Sequence, residues 1–87
     1  MRIVIVGLGV IGGGYAMALK EAGYTEVYGI DKNIDIINYA IQKGYIKAGF
    51  TDDYNILSEM DLIILAIYPQ AILNFLTENN KFFNRKN

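Results

Sequence analysis

The chain has 87 residues, 53% hydrophobic and 20% charged, with eight basic against nine acidic side chains and a net charge of -1. This is one small domain, too apolar to be disordered and without the broad positive surface of a general nucleic-acid binder. It contains no histidine and no cysteine, so the commonest general acid/base, the commonest zinc ligand and any thiol nucleophile are missing.

Residues 2–6 form a β-branched run that ends at Gly7 and reads as a buried strand. Met1, Arg2 and the uncharged residues through Leu19 also imitate a secretory signal, with Ala16-Met17-Ala18 at the cleavage position. Gly7, Gly9, Gly12, Gly13 and Gly14 would make a poor apolar helix and favour the strand reading. From Val10 to Ala22 the spacing becomes helical, with Ile11, Tyr15, Ala18, Leu19 and Ala22 predicted on the inner face and Gly23 as the stop. A second strand over residues 26–30 ends at Asp31. Asn33 is the predicted N-cap of a second helix, with Ile34, Ile37, Ala40 and Ile41 inward and Gly44 closing it.

A very short third strand is predicted at 47–50, then a single helical turn capped by Thr51 or Asp52. Residues 62–67 are apolar throughout and read as a strand covered on both faces. Pro69 suits the first turn of a last helix, with Ala71, Ile72, Phe75 and Leu76 inward. Residues 79–87 are asparagine-rich, carry Lys81, Arg85 and Lys86, and read as a polar C-terminal tail after a domain of residues 1–78. Strands alternating with helices imply an α/β fold on a parallel sheet of about four strands. No segment is apolar for long enough to span a membrane, and the absence of cysteine and of targeting signals suggests the cytoplasm.

Gly7-Leu8-Gly9-Val10-Ile11-Gly12 fits G-x-G-x-x-G and lies where a strand gives way to a helix, the context in which that pattern has a mechanism. The first glycine permits the turn, the second lets a pyrophosphate approach the backbone, and the third lets the helix pack on the sheet. The N–H groups and positive dipole end of the helix then face the phosphates. Asp31 follows Gly12 by about 20 residues at the end of the next strand, where an acid accepts hydrogen bonds from the adenosine ribose. Its charge repels a 2′-phosphate, which favours NAD over NADP, although Lys32 beside it softens that repulsion. Read alone, Asp31 is also a plausible helix-capping or turn aspartate. A methyltransferase usually carries an acid just before its glycines, where this chain has Ile5-Val6. Ala66-Ile67-Tyr68 follows the fourth strand and reads equally as the nicotinamide side of the site or as an ordinary strand-to-helix turn. Asp52 and Asp53 are adjacent and read as a solvated turn or helix start rather than a metal site.

The run from Ile3 through Gly13, read with residues 27–33, 40–44 and 61–69, resembles the prephenate and arogenate dehydrogenases of tyrosine biosynthesis, which typically open with IVGLGLIGGS. The resemblance covers the chain to about residue 78. It implies a Rossmann-type domain holding NAD(P), with Gly7, Gly9, Gly12 and Asp31 at the cofactor and the turn of residues 66–69 beside them, and oxidative decarboxylation of prephenate or arogenate by the whole enzyme. Leu8, Val10, Ile11, Lys32, Ala66, Ile67 and Tyr68 complete the candidate cofactor site. Gly14 and Tyr15 depart from the family's usual serine and leucine. The family's catalytic histidine and serine lie beyond the matched region, so the resemblance implies a truncated Rossmann sheet that binds NAD without turnover of its own, and no catalytic residue is named. It also leaves residues 62–67 as a sheet edge, covered by Phe82 and Phe83 or paired with a second copy in a homodimer. The alternatives are a non-catalytic regulatory or assembly module, and a fragment of another NAD(P)-dependent reductase, such as an imine or sugar-acid dehydrogenase.

Overall fold

The computed structural model describes residues 1–67 and 69–80, and the side chains within them other than those at positions 10 and 69–73. Four strands, β1 (Ile3–Val6), β2 (Val27–Ile30), β3 (Ala48–Phe50) and β4 (Leu62–Leu65), form one parallel sheet in the order β3-β2-β1-β4. Between them run helices α1 (Val10–Glu21), α2 (Ile34–Gln42) and α3 (Pro69–Glu78), and a 3-10 turn at Asn55–Glu59. This is the Rossmann-type α/β arrangement expected from the alternation of strands and helices. Ile3 pairs with both Val27 and Leu62, and Val6 with both Ile30 and Leu65, so β1, β2 and β4 end flush at one carboxyl edge.

Period-two alternation divides the core between the faces of the sheet. Ile3, Ile5 and Val27 pack with Leu8, Ala16, Ile37, Ala40 and Ile46 beneath α1 and α2. Val4, Val6 and Ile30 pack on the other face with Leu57 of the 3-10 turn and Phe75 of α3. β1 is buried at all four positions, and each such side chain contributes about 1.5–3 kcal/mol of transfer free energy. Gly29 and Gly49 pair in register, and a Cβ on either would lie 2.4 Å from Leu8 Cδ1 or Ile37 Cγ2 respectively. The glycine pair is a trough into which the loop leucine and an α2 isoleucine sink.

Helix ends follow their local chemistry. Asn33 caps α2, its side chain accepting from Asp35 N–H at 2.9 Å. Gly23 and Gly44 close α1 and α2 in the left-handed region, at φ 95° and 75°.

Four expectations need correction. In α1 the buried side is Gly12, Ala16 and, in part, Leu19, while Ile11, Tyr15, Ala18 and Ala22 are exposed. The small residues turn inward because α1 lies hard against the loop, closer than a larger side chain allows. In α2 Ile37 and Ala40 are buried as expected, but Ile34 and Ile41 are exposed and Ile36 packs in their place. The 3-10 turn is entered through Asp53, whose Oδ1 accepts from Asn55 N–H at 2.9 Å, rather than through Thr51 or Asp52. Finally, β4 stops at Leu65 and is only half covered, with Leu62 exposed, because it pairs with β1 alone among the described residues and α1 packs chiefly on β1. The expected inward positions Ala71 and Ile72 lie outside the described side chains; Phe75 is buried and Leu76 half-buried.

Gly14 occupies the middle of α1, and a Cβ there would meet nothing within 4 Å. Gly14→Ala is therefore expected to raise stability by about 0.5–1 kcal/mol, read as a higher urea midpoint at unchanged slope.

Candidate cofactor-binding site

The carboxyl edge of the sheet is where this chain concentrates its chemistry. Gly7 leaves β1 with φ 92°, a conformation that L side chains rarely adopt, and a Cβ there would lie 2.7 Å from Ala66 O and 2.6 Å from Ile67 Cγ2. The end of β4 thus closes directly over the first glycine, and Ala66 N–H extends the ladder to Val6 O at 2.9 Å. Gly12 stands one turn into α1, where a Cβ would fall 1.7 Å from Gly7 O. Loop and helix meet there at backbone contact.

Gly9 is the N-cap of α1, with no side-chain cap and no acid in the first turn. Among the described residues, the first N–H groups of the helix, beginning with Val10 and Ile11, therefore have no capping side chain at a positive dipole end. A Cβ on Gly9 would meet nothing within 4 Å, so the space over the loop is open. Ile11 points outward, 63% exposed. Leu8 is buried, and its N–H is bound to Asp31 rather than to solvent.

Asp31 sits beside that loop. Its Oδ2 accepts from Leu8 N–H at 2.8 Å and its Oδ1 from Asn33 N–H at 2.9 Å. An ionised carboxylate has about four acceptor positions, so two bonds orient the group and leave acceptor capacity for a ligand. Asp31 is both the turn aspartate and an acid held at the loop.

A cleft of about 400 Å³ opens beside Asp31, within the usual range of about 300–1,000 Å³ for small-molecule sites. Val6, Gly7, Ile30 and Ile67 form its sheet side; Asn74, Phe75 and Glu78 of α3 form the other, with Lys32 and Tyr54 also at the lining. Tyr54 meets Phe75 edge to face at 5.5 Å. Burial, and then the carboxylates of Asp52, Glu78 and Asp31, push the Tyr54 hydroxyl above the ordinary tyrosine value, so it stays a protonated donor at neutral pH.

Of the residues singled out from the sequence, Gly7, Asp31, Lys32 and Ile67 line this one cleft. Leu8, Gly9 and Gly12 shape the loop above it, and Ala66 abuts Gly7. Tyr68, the basic tail residues Lys81, Arg85 and Lys86, and the aromatic pair Phe82 and Phe83 lie outside the described residues. Sequence reasoning missed Tyr54, Asn74 and Glu78 as cleft residues. Only the crossover from β3 to β4 and the docking of α3 bring them to Asp31, and no local pattern marks them. No helix among the described residues is long and apolar enough to cross a membrane.

The parallel sheet with a glycine turn between β1 and α1 is that of a nicotinamide-dinucleotide-binding Rossmann domain of the oxidoreductase kind. Residues 2–86 match the family described as NADP oxidoreductase, coenzyme F420-dependent, and the chain belongs to that family. Among solved structures, it is similar to prephenate dehydrogenase from A. aeolicus in complex with hydroxyphenyl propionate and NAD+, with a TM-score of 0.80 and 26% identity. The match covers 94% of this chain and 30% of that one. No curated protein matches.

Proposed function

We propose that this chain is the NAD-binding portion of a prephenate dehydrogenase-like oxidoreductase of tyrosine biosynthesis, acting in the cytoplasm. Residues 1–78 form the binding unit and residues 79–87 a polar extension, of which Asn79 ties back to Phe75 O through its amide at 3.0 Å. The observation that carries the reading is the Asp31 carboxylate bound to Leu8 N–H at the mouth of α1, one group joining the sugar site to the phosphate loop.

In this reading the N–H groups at the start of α1 hold the pyrophosphate, with Gly7, Gly9 and Gly12 giving it access. Asp31 accepts from the adenosine ribose, and the adenosine occupies the cleft between β2 and α3, beside Lys32. Ala66, Ile67 and Tyr68 border the nicotinamide side, with Val10 and Ile11 at the helix mouth. The cofactor supplies a hydride acceptor; this chain supplies binding, orientation and charge. With no histidine in the sequence, we assign it binding without turnover of prephenate by itself.

The family's description names NADP and coenzyme F420. Asp31 has the wrong sign for a 2′-phosphate, and Glu78 adds a second carboxylate at the same cleft, so we assign NAD. The chain has seven tyrosines and no tryptophan, which makes energy transfer from tyrosine to reduced nicotinamide a direct binding signal. NADH is expected to bind at least about tenfold tighter than NADPH, 1.4 kcal/mol or more. A flat response to both at concentrations on the order of millimolar would defeat the assignment.

A second reading, a non-catalytic assembly module, draws support from exposed apolar side chains and from the β4 edge. Ile11, Tyr15 and Leu62 are 63%, 49% and 43% exposed, and β4 pairs only with β1 among the described residues. A homodimer through that edge would satisfy its backbone groups. Sedimentation showing self-association regardless of NAD favours this reading.

A further inference from the structure

We propose that Leu8 is the positioning residue of the glycine loop and that Gly29 is its socket: the leucine side chain, seated over β2, sets the loop in the shape that receives a pyrophosphate. The inference rests on the dinucleotide reading above and adds to it the device that holds the loop still.

Leu8 stands between Gly7 and Gly9, and glycine restricts its own backbone less than any other residue. Gly7 lies in the left-handed region at φ 92°, and Gly9 is the N-cap of α1 with open space at its Cβ position. A turn resting on those two residues alone would sample many shapes, and fixing it at the moment of binding would cost entropy.

Leu8 removes that freedom through two attachments to one strand end. Its N–H donates to Asp31 Oδ2 at 2.8 Å. Its side chain, 4% exposed, runs over Gly29. Asp31 N–H continues the ladder to Phe50 O at 3.1 Å, so residues 29 and 31 are two strand positions apart and share a face.

A Cβ on Gly29 would lie 2.4 Å from Leu8 Cδ1 and 3.1 Å from both Leu8 Cγ and Ile46 Cδ1. Cγ is crowded as well as Cδ1, so turning the end of the side chain does not clear the methyl group. The leucine has to withdraw, and its amide leaves Asp31. Gly49 pairs with Gly29 in register, and a Cβ there would lie 2.4 Å from Ile37 Cγ2 of α2. Crowding at Gly49 therefore strains the same sheet without touching the loop.

The test reads NADH affinity by tyrosine-to-nicotinamide energy transfer, and hydrogen exchange at the residue 8 amide relative to the amides of β1. Gly29→Ala is expected to weaken NADH binding and to lower that relative protection, each about tenfold. Adding Leu8→Val takes from the loop the carbon that was added to the strand, and affinity should return to within about threefold of the unaltered chain. Gly49→Ala should lower the urea midpoint yet leave the affinity of the folded chain and the relative protection unchanged. Should Gly29→Ala fail to fold, Leu8→Val alone is expected to weaken binding several-fold, and adding Gly29→Ala to restore it. A further loss in the double variant overturns the proposal, as do equal effects of Gly29→Ala and Gly49→Ala on both readouts. Those outcomes leave the dinucleotide reading standing, whereas absence of NADH binding by the unaltered chain overturns both.

Discussion

Asp31→Ala is expected to weaken NADH binding by roughly 30- to 150-fold, about 2–3 kcal/mol. Hydrogen bonds from ribose hydroxyls to a carboxylate are charge-assisted and stronger than neutral ones. Partial exposure of the group keeps the total below the sum of two buried bonds. The same change removes the acceptor of the part-buried Leu8 N–H, so folding stability should fall as well, by about 1–3 kcal/mol. NADPH should respond differently, because losing the carboxylate also removes a repulsion at the 2′-phosphate. The preference for NADH over NADPH is then expected to shrink to within a few-fold. Titration of both reduced cofactors, alongside urea unfolding, separates the two effects. Unchanged NADH affinity in a folded variant would show that Asp31 does not touch the sugar.

Gly12→Ala should act on folding before it acts on binding. The added Cβ would sit 1.7 Å from Gly7 O and 2.8 Å from Gly7 C. Those are backbone atoms that no rotamer change can move aside, so α1 has to lift from the loop. A loss of more than about 4 kcal/mol is expected, in the tail of large effects that signals a named steric cause. A domain of this length holds only about 4–13 kcal/mol in all, so much of the population should be unfolded. Gly9→Ala is the matched control. Gly9 has a negative φ and open space at its Cβ position. Its stability should fall by only about 0.5–2 kcal/mol, while NADH binding falls because the methyl group stands where the proposed site takes the pyrophosphate. If Gly12→Ala unfolds in urea like the unaltered chain, the loop is looser than this packing requires.

What could be read in advance divides along physical lines. The order and kind of the elements were legible, because β-branched runs, helical spacing and glycine stops are local signals: β1 after Arg2, the Asn33 cap and the Gly23 and Gly44 closures all stand in the fold. The pairing of the glycine loop with Asp31 was legible too, because the spacing encodes a strand-turn-helix followed by a second strand. Which side of each helix faces the sheet was less so. Ile11 and Tyr15 looked like core residues by hydrophobicity, yet α1 turns Gly12 and Ala16 inward, because closeness to the loop outweighs apolar area at that contact. Gly29 and Gly49 carried no signal as single residues, since their purpose exists only once β2 and β3 lie side by side beneath Leu8 and Ile37.

By itself, then, the amino-acid sequence determined a parallel α/β unit, a glycine turn between its first strand and helix and an acid that ends the next strand, all properties of residues near one another along the chain. Tertiary structure alone decided that Tyr54, Asn74 and Glu78 would share a cleft with Asp31, and that β4 would carry a half-covered flank. Those outcomes depend on a crossover and a helix docking that join residues far apart in sequence, and side-chain patterning within any one segment holds no record of them.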